Sequence, residues 1–305
     1  MTYAKNIETD RGLSFRMFLT GLLLVALWVI LGTVLVLVGV GIGIVVVIGI
    51  AGMFAQYWFS DRIALFGMNG VIVTPEEQPK LHAIIDRLCL LADMPRPRVA
   101  VAATDIPNAF ATGRSPKAAV VCATEGLMRR LNDEELEAVL AHELSHVAHR
   151  DVAVMTIASS VGMIAGLLTR MALWTSMFSG GDDNNDGAVA GEMLVMLVSI
   201  VVYAISFLLT MALSRYRELA ADRSGAILIG KPSVLAAALV KITGEMSRIP
   251  QNDLRRSEAF NAFFFTPAIN RQQGPSLATL FSTHPSLEQR LAQLSELERQ
   301  LGHNA

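Results

Sequence analysis

Charge is absent from Met17 through Phe59, while Arg16 and Asp61-Arg62 bound the stretch on either side. As a single helix it would run roughly 65 Å at 1.5 Å per residue, about twice the hydrocarbon thickness of a bilayer. It must therefore fold back, and Gly39-Val40-Gly41-Ile42-Gly43 supplies a turn. The pattern predicts a tight hairpin of two spans, Phe15–Val38 and Gly41–Phe59. A cleaved signal peptide would have a shorter apolar core ending at a small-residue site. Two further spans are expected, Val152 to about Phe178 and about Met193–Leu213. Arg170 and Glu192 fall near their outer ends, where long side chains reach headgroups, and Trp174 suits the interfacial belt. Between them Ser179–Gly187 reads SGGDDNNDG. This acidic connector has neither the EF-hand spacing nor the closing Glu of a calcium loop.

The polar stretches carry different periods. Pro75–Met94 places Leu81, Ile84, Ile85, Leu88 and Leu91 at helical spacing, with Glu77 and His82 on the solvated side. Arg98–Ala103 and Ala118–Cys122 read as strands, and Pro107–Arg114 between them as a short strand or turn. A helix starts near Asn132 or Asp133, with Glu134 and Glu135 in its favourable first turn. Ser214–Ile229 continues the fourth span as a helix, stopped by Gly230 and Pro232. Residues 250–283 are loop-rich, and Phe263-Phe264-Phe265 would touch the membrane or cover a cleft. A last helix, Ser286–Leu301, carries Leu287, Leu291, Leu294 and Leu301, a stripe too short for a coiled coil and suited to docking on the domain.

Four segments follow: 1–59, a tail and transmembrane hairpin; 60–151, a cytoplasmic α+β part; 152–213, a second transmembrane pair; 214–305, a second cytoplasmic part. The expected fold class is an α-helical integral membrane protein of four spans with a mainly α domain carrying a small β-sheet.

Composition agrees, since 52% hydrophobic against 17% charged residues is too apolar for a purely soluble chain. A net charge of −2 gives no reason to expect nucleic acid as a partner. Lys5, Arg11, Arg16, Arg62, Arg129, Arg130, Arg150, Arg215, Arg217 and Arg223 all fall on one side of the expected spans. The positive-inside rule then puts both termini and both larger polar segments in the cytoplasm. Cys89 and Cys122 are far apart, which excludes a thiolate metal cage and a disulfide framework and suits a reducing compartment.

The candidate chemistry is His142-Glu143-Leu144-Ser145-His146, an H-E-x-x-H inside an expected helix. Positions i and i+4 share one helical face, so both imidazoles can bind one Zn2+ ion. Glu143, displaced sideways, can hold the water as general base. The competing reading is a surface His-Glu-His cluster, disfavoured by Val139, Leu140 and Val147 around it. A catalytic site needs a third protein ligand. The extended metzincin motif would need Gly at 149 and His at 152, where this chain has His149 and Val152. His146 lies roughly 9 Å along a helix before the third span, and Glu218 roughly 7.5 Å after the fourth. If those spans are neighbours, both groups leave the bilayer at one depth, and Glu218 is the best carboxylate ligand. Asp222, one turn on, would orient a ligating histidine. The alternative is that Arg215, Glu218 and Asp222 make exposed helical pairs.

Arg215-Tyr216-Arg217-Glu218-Leu219-Ala220-Ala221-Asp222 after a span, paired with the H-E-x-x-H, resembles the HtpX-type membrane metalloproteases, and more distantly the CAAX prenyl protease type 1 family. The likeness extends to Asn108-Ala109-Phe110-Ala111-Thr112-Gly113 and to Ser282-Thr283-His284-Pro285 followed by Arg290. It implies a zincin-like protease domain, with His142, His146 and Glu218 as zinc ligands, Glu143 as catalytic base, and a role in membrane-protein quality control at the cell membrane. By analogy with the prenyl protease relatives, His284 and Arg290 would stabilise the tetrahedral intermediate; a capping or packing role for His284 stays open, because Ser286 stands where relatives commonly have a second Pro. Substrate, a peptide or protein such as a damaged membrane protein, would add as a strand along Asn108, Ala109, Phe110 and Ala111. A CAAX-type processing enzyme and a non-catalytic, zinc-stabilised membrane scaffold are the rival functions.

Overall fold

The computed structural model describes residues 11–38, 42–178, 186–246 and 282–303. Residues 39–41 of the turn expected at Gly39–Gly43, residues 179–185 of the connector expected at Ser179–Gly187 and the Phe263-Phe264-Phe265 run lie outside them, while Ile42-Gly43 and Asp186-Gly187 already belong to helices. The chain divides into two compact units, one of Gly12–Gln56 with Val154–Leu213, the other built mainly from Tyr57–Ala153 and Ser214–Ala305.

The described part of the first unit is helical, drawn from α1 (Arg11–Leu37), α2 (Ile42–Trp58), α7 (Asp151–Phe178) and α8 (Asp186–Ile229). Leu24, Leu27, Leu31 and Leu35, at three- and four-residue steps, form the buried stripe of α1. They share a core with Val161, Ile164, Ala165 and Leu168 of α7 and Val195 and Val202 of α8. On α7 the small residues Ala158, Gly162 and Gly166 repeat every four positions. A Cβ on Gly162 would sit 3.0 Å from Ser206 Oγ, and one on Gly166 3.4 Å from the Tyr203 ring. This spacing lets two helices approach closely where lipid leaves no hydrophobic drive between them. The opposite faces expose Phe18, Val25, Val29, Val36 and Leu197, an apolar surface that suits lipid and not water.

Among the described residues three helical stretches are long and apolar enough to cross a membrane: Arg11–Leu37, Asp151–Trp174 and Ala190–Ile229. The last, at 40 residues, is about 60 Å long, twice the hydrocarbon thickness. The remaining expected span, the second in chain order, corresponds to α2 and has 17 residues, at the lower end of what crosses a bilayer.

The second unit holds a four-stranded sheet in the order β1-β2-β4-β3, from β1 (Gly70–Ile72), β2 (Arg98–Ala102), β3 (Ala109–Thr112) and β4 (Val120–Thr124). β2 and β4 are parallel, and both outer strands run antiparallel to their neighbours. Every residue of β4 is buried, as its central place and its Val-Val-Cys-Ala-Thr sequence require. Among the described residues the unit also holds α3 (Ser60–Met68), α4 (Pro79–Ala92), α5 (Glu125–Arg130), α6 (Asp133–Ala148), α9 (Pro232–Met246) and α10 (Leu287–His303). Asn132 and Glu135 form a reciprocal capping box that starts α6. α8 stops where Gly230 takes a φ of 68°, a left-handed conformation natural to glycine, and Pro232 opens α9. The expected element positions hold to within a few residues. One surface expectation is overturned: His82 is buried, its Nε2 3.0 Å from the Val73 carbonyl and its Nδ1 2.7 Å from Arg96. Those partners come from loops flanking α4, which helical periodicity does not reveal.

Candidate metal centre

Three elements meet at one point. The C-terminal half of α6 presents His142, Glu143 and His146, all but His146 fully buried. The end of α8 presents Glu218 and Asp222, buried on the same side. Gly225 allows this approach: a Cβ there would lie 2.8 Å from the His142 nitrogen and 3.0 Å from the Ala141 carbonyl carbon. The third element is the segment leading into α10. Arg215 ties it to α8 by donating to the Ser282 carbonyl at 2.7 Å. Ser286 caps α10 by exchanging hydrogen bonds with Gln289. The capping role considered for His284 thus belongs to Ser286. His284 is buried, with Nδ1 3.2 Å from Glu218 Oε2.

One ligand atom from each of His142, His146 and Glu218 lies within 4.8 Å of the others. The Nε2 atoms of the two histidines face each other at 3.1 Å. Glu218 Oε2 is 3.7 Å from His142 Nε2, and Oε1 is 3.4 Å from His146 Nε2. On the far side of each ring a carboxylate sets the tautomer. Asp222 is 2.8 Å from His142 Nδ1, and Asp151, the first residue of α7, is 2.5 Å from His146 Nδ1. With the protons on Nδ1, both Nε2 atoms present lone pairs to a carboxylate. Such a grouping repels itself unless positive charge lies among its members. Two nitrogens at about 2.0–2.1 Å from one tetrahedral metal sit about 3.3 Å apart, close to the spacing found. The residues therefore fit a divalent cation.

Burial pushes the Glu143 carboxyl up to about 8, and nearby Glu218 adds to the rise. Burial lowers the pKa of His142 against the pull of Asp222. On His146 burial is outweighed by Asp151 and Glu218, which raise it.

Arg290, buried on α10, forks onto Asp222 with Nε to Oδ2 at 2.7 Å and Nη2 to Oδ1 at 2.6 Å. It stands behind Asp222, which in turn stands behind His142. Asp151 is likewise backed by Arg217 at 2.6 Å. Sequence reading missed Asp151; its only signal was a carboxylate five residues after His146, across the turn at Arg150. On the other side of α6, Ala111 of β3 donates its N–H to Glu143 Oε2 at 3.0 Å. Asn108 is occupied elsewhere, its N–H bonded to Thr124 Oγ1 and its carbonyl to the Thr124 N–H. Phe110 pairs with Cys122 and is buried. By strand alternation, Ala109 and Ala111 turn their main chain toward the free edge.

A buried H-E-x-x-H helix facing a carboxylate from a second helix, in a chain whose helices are apolar enough to cross a bilayer, defines a membrane metalloprotease. The chain belongs to peptidase family M48, whose model matches residues 75–298. It is 56% identical over 297 residues to "Protease HtpX homolog 1" of Streptomyces coelicolor, covering 97% of this chain and 96% of that one. It is 52% identical over 298 residues to "Protease HtpX homolog" of Moorella thermoacetica, covering 97% and 98%. Among solved structures it resembles the crystal structure of S. mikatae Ste24p, with a TM-score of 0.56 and 16% identity over 93% of this chain. That likeness concerns the fold, and this chain spans 66% of that protein's length.

Proposed function

We propose that the chain is a zinc-dependent endopeptidase of the cell membrane that cleaves misfolded or damaged membrane proteins at its cytoplasmic face, with one Zn2+ held by His142, His146 and Glu218. The observation that carries this reading is the convergence of three lone-pair donors whose imidazoles are each fixed from behind by a carboxylate. Two imidazoles with one carboxylate suit zinc, and three protein donors leave a position open. When bound, the ion would polarise the scissile carbonyl and acidify a water.

The remaining work falls to the chain. Glu143 takes the proton of the attacking water and passes it to the leaving amine. The Ala111 N–H holds that carboxylate in place. An extended substrate pairs along the outer edge of β3 through the Ala109 main chain and the Ala111 carbonyl, with Asn108 and Phe110 anchoring the strand to β4. His284 faces the charge that develops on the scissile oxygen, and Arg290 acts through Asp222. The quality-control role rests on the resemblance to HtpX-type proteases, and the cytoplasmic assignment on the distribution of Arg and Lys.

Purified Glu143→Gln is expected to keep one metal per chain by elemental analysis and to lose cleavage of an unfolded membrane protein by about 100- to 10,000-fold. Glu218→Ala is expected to lose the metal as well as activity. Cleavage by Glu143→Gln at the wild-type rate would end the reading, and full metal retention by Glu218→Ala would remove that ligand.

A further inference from the structure

α3 has one face without a partner among the described residues. Its inner side is secured: Ala64 and Met68 are buried in the core of the protease unit, and Asp61 pairs with Arg98 of β2. The outer side carries Phe59, Ile63 and Phe66, at four- and three-residue steps along a single stripe. They are 40%, 49% and 86% exposed. An aromatic stripe of this kind is a poor surface for water. Two observations indicate what covers it. First, α3 begins at Ser60, two residues after α2 ends at Trp58. At helical rise Phe66 is therefore within about 12 Å of the end of α2. Second, guanidinium groups lie over aromatic rings here: Arg114 is 4.1 Å from the Trp58 ring centre and Arg62 is 5.7 Å from that of Phe59. The Tyr57 hydroxyl also donates to the Arg114 carbonyl at 2.6 Å. Exposed aromatic rings beside arginines, next to an apolar helix, match the chemistry of a headgroup layer: rings for the acyl boundary, guanidinium for phosphate.

We propose that α3 is an interfacial helix, with Phe59, Ile63 and Phe66 seated in the headgroup–acyl boundary of a phospholipid bilayer and Arg62 at its phosphates. The proposal rests on the reading of α2 as a span. It makes the bilayer surface a structural partner of the protease unit, in addition to the spans.

The test uses the full chain with Cys89 and Cys122 replaced by Ala, in phosphatidylcholine–phosphatidylglycerol liposomes. Single cysteines at Phe66→Cys, Val47→Cys and Glu76→Cys carry a nitrobenzoxadiazole label. Quenchers are spin-labelled lipids of shallow and deep position and aqueous iodide. The Phe66 label should be quenched by the shallow lipid, about 5–10 Å into the boundary, and shielded several-fold from iodide relative to Glu76. If Val47 reports a deep position while Phe66 is as open to iodide as Glu76, the interfacial helix is overturned and α2 stands as a span. If Val47 itself is open to iodide, the span reading fails, and the proposal with it. Shielding of Phe66 that vanishes as protein is diluted in lipid would assign the face to a second copy of the chain and overturn the proposal.

Discussion

His146 is held by Asp151, and Asp151 by Arg217; His142 is held by Asp222, and Asp222 by Arg290. The two imidazoles are thus oriented by parallel relays, each ending on a guanidinium. Removing the hydrogen-bonded carboxylate behind a metal-binding histidine costs about 10- to 100-fold in metal affinity. Asp151→Asn keeps the size of the side chain and removes its charge. It is expected to weaken metal binding by that factor in competition with a chelator, with the fold retained by circular dichroism; unchanged affinity would reduce Asp151 to an α7 cap. At this scale the sequence was most readable where chemistry imposes a spacing. His142, Glu143 and His146 follow from helical geometry alone. Glu218 required the further step of asking which carboxylate leaves a span at the same depth. Asp151 gave no comparable signal, because a carboxylate at a helix start is ordinary in any protein, and only the turn at Arg150, with φ 55°, brings it back to His146.

Among the elements, the approach of α8 to α6 decides whether the donors meet. Glu218, Asp222 and Gly225 lie at four- and three-residue steps on one face of α8, and Gly225 is where the backbones come closest. The three nearest atoms that a Cβ would meet there belong to the backbone of Ala141 or His142, so no side chain can turn aside to relieve them. Gly225→Ala must push the helices apart. It is expected to cost about 1–3 kcal/mol as overpacking, seen as a lowered thermal midpoint, and to reduce bound metal in elemental analysis although no donor is changed. A variant with wild-type metal content and midpoint would mean the helices have room to spare. An amphipathic stripe gave α4 and α10 to within a few residues, and polar capping residues mark the starts of α6 and α10. The short strand β1 and helix α5 went unread. Three and six residues are too few to establish a period, and β1 is held by its pairing to β2, a non-local contact that leaves no local pattern.

For the whole molecule, the apolar pattern fixes that the chain enters a bilayer, and the proposed topology follows from charge. Arg11 and Arg16 lie at the start of α1, Arg150 before α7, and Arg215, Arg217 and Arg223 in the last part of α8. The stretch 179–185 between α7 and α8 has acidic residues and no Lys or Arg. One crossing, α7 or α8, separates the acidic connector from the basic groups at either end, and by the positive-inside rule the proposed topology has the metal-binding end of α8 in the cytoplasm. Since α8 has 44 residues, about 66 Å of helix, it can cross some 30 Å of hydrocarbon and still carry Glu218 beyond it. A membrane-impermeant maleimide tests the arrangement in intact cells. Asn184→Cys, in the acidic connector, is expected to react from outside, whereas Glu76→Cys should react only after permeabilisation. The native thiols contribute little background, since both are buried and burial lifts Cys122 to about 12, far from the reactive thiolate at neutral pH. Labelling of Glu76→Cys in intact cells would put the protease unit outside and invert the topology, and equal labelling of both positions would remove α7 and α8 as a crossing pair.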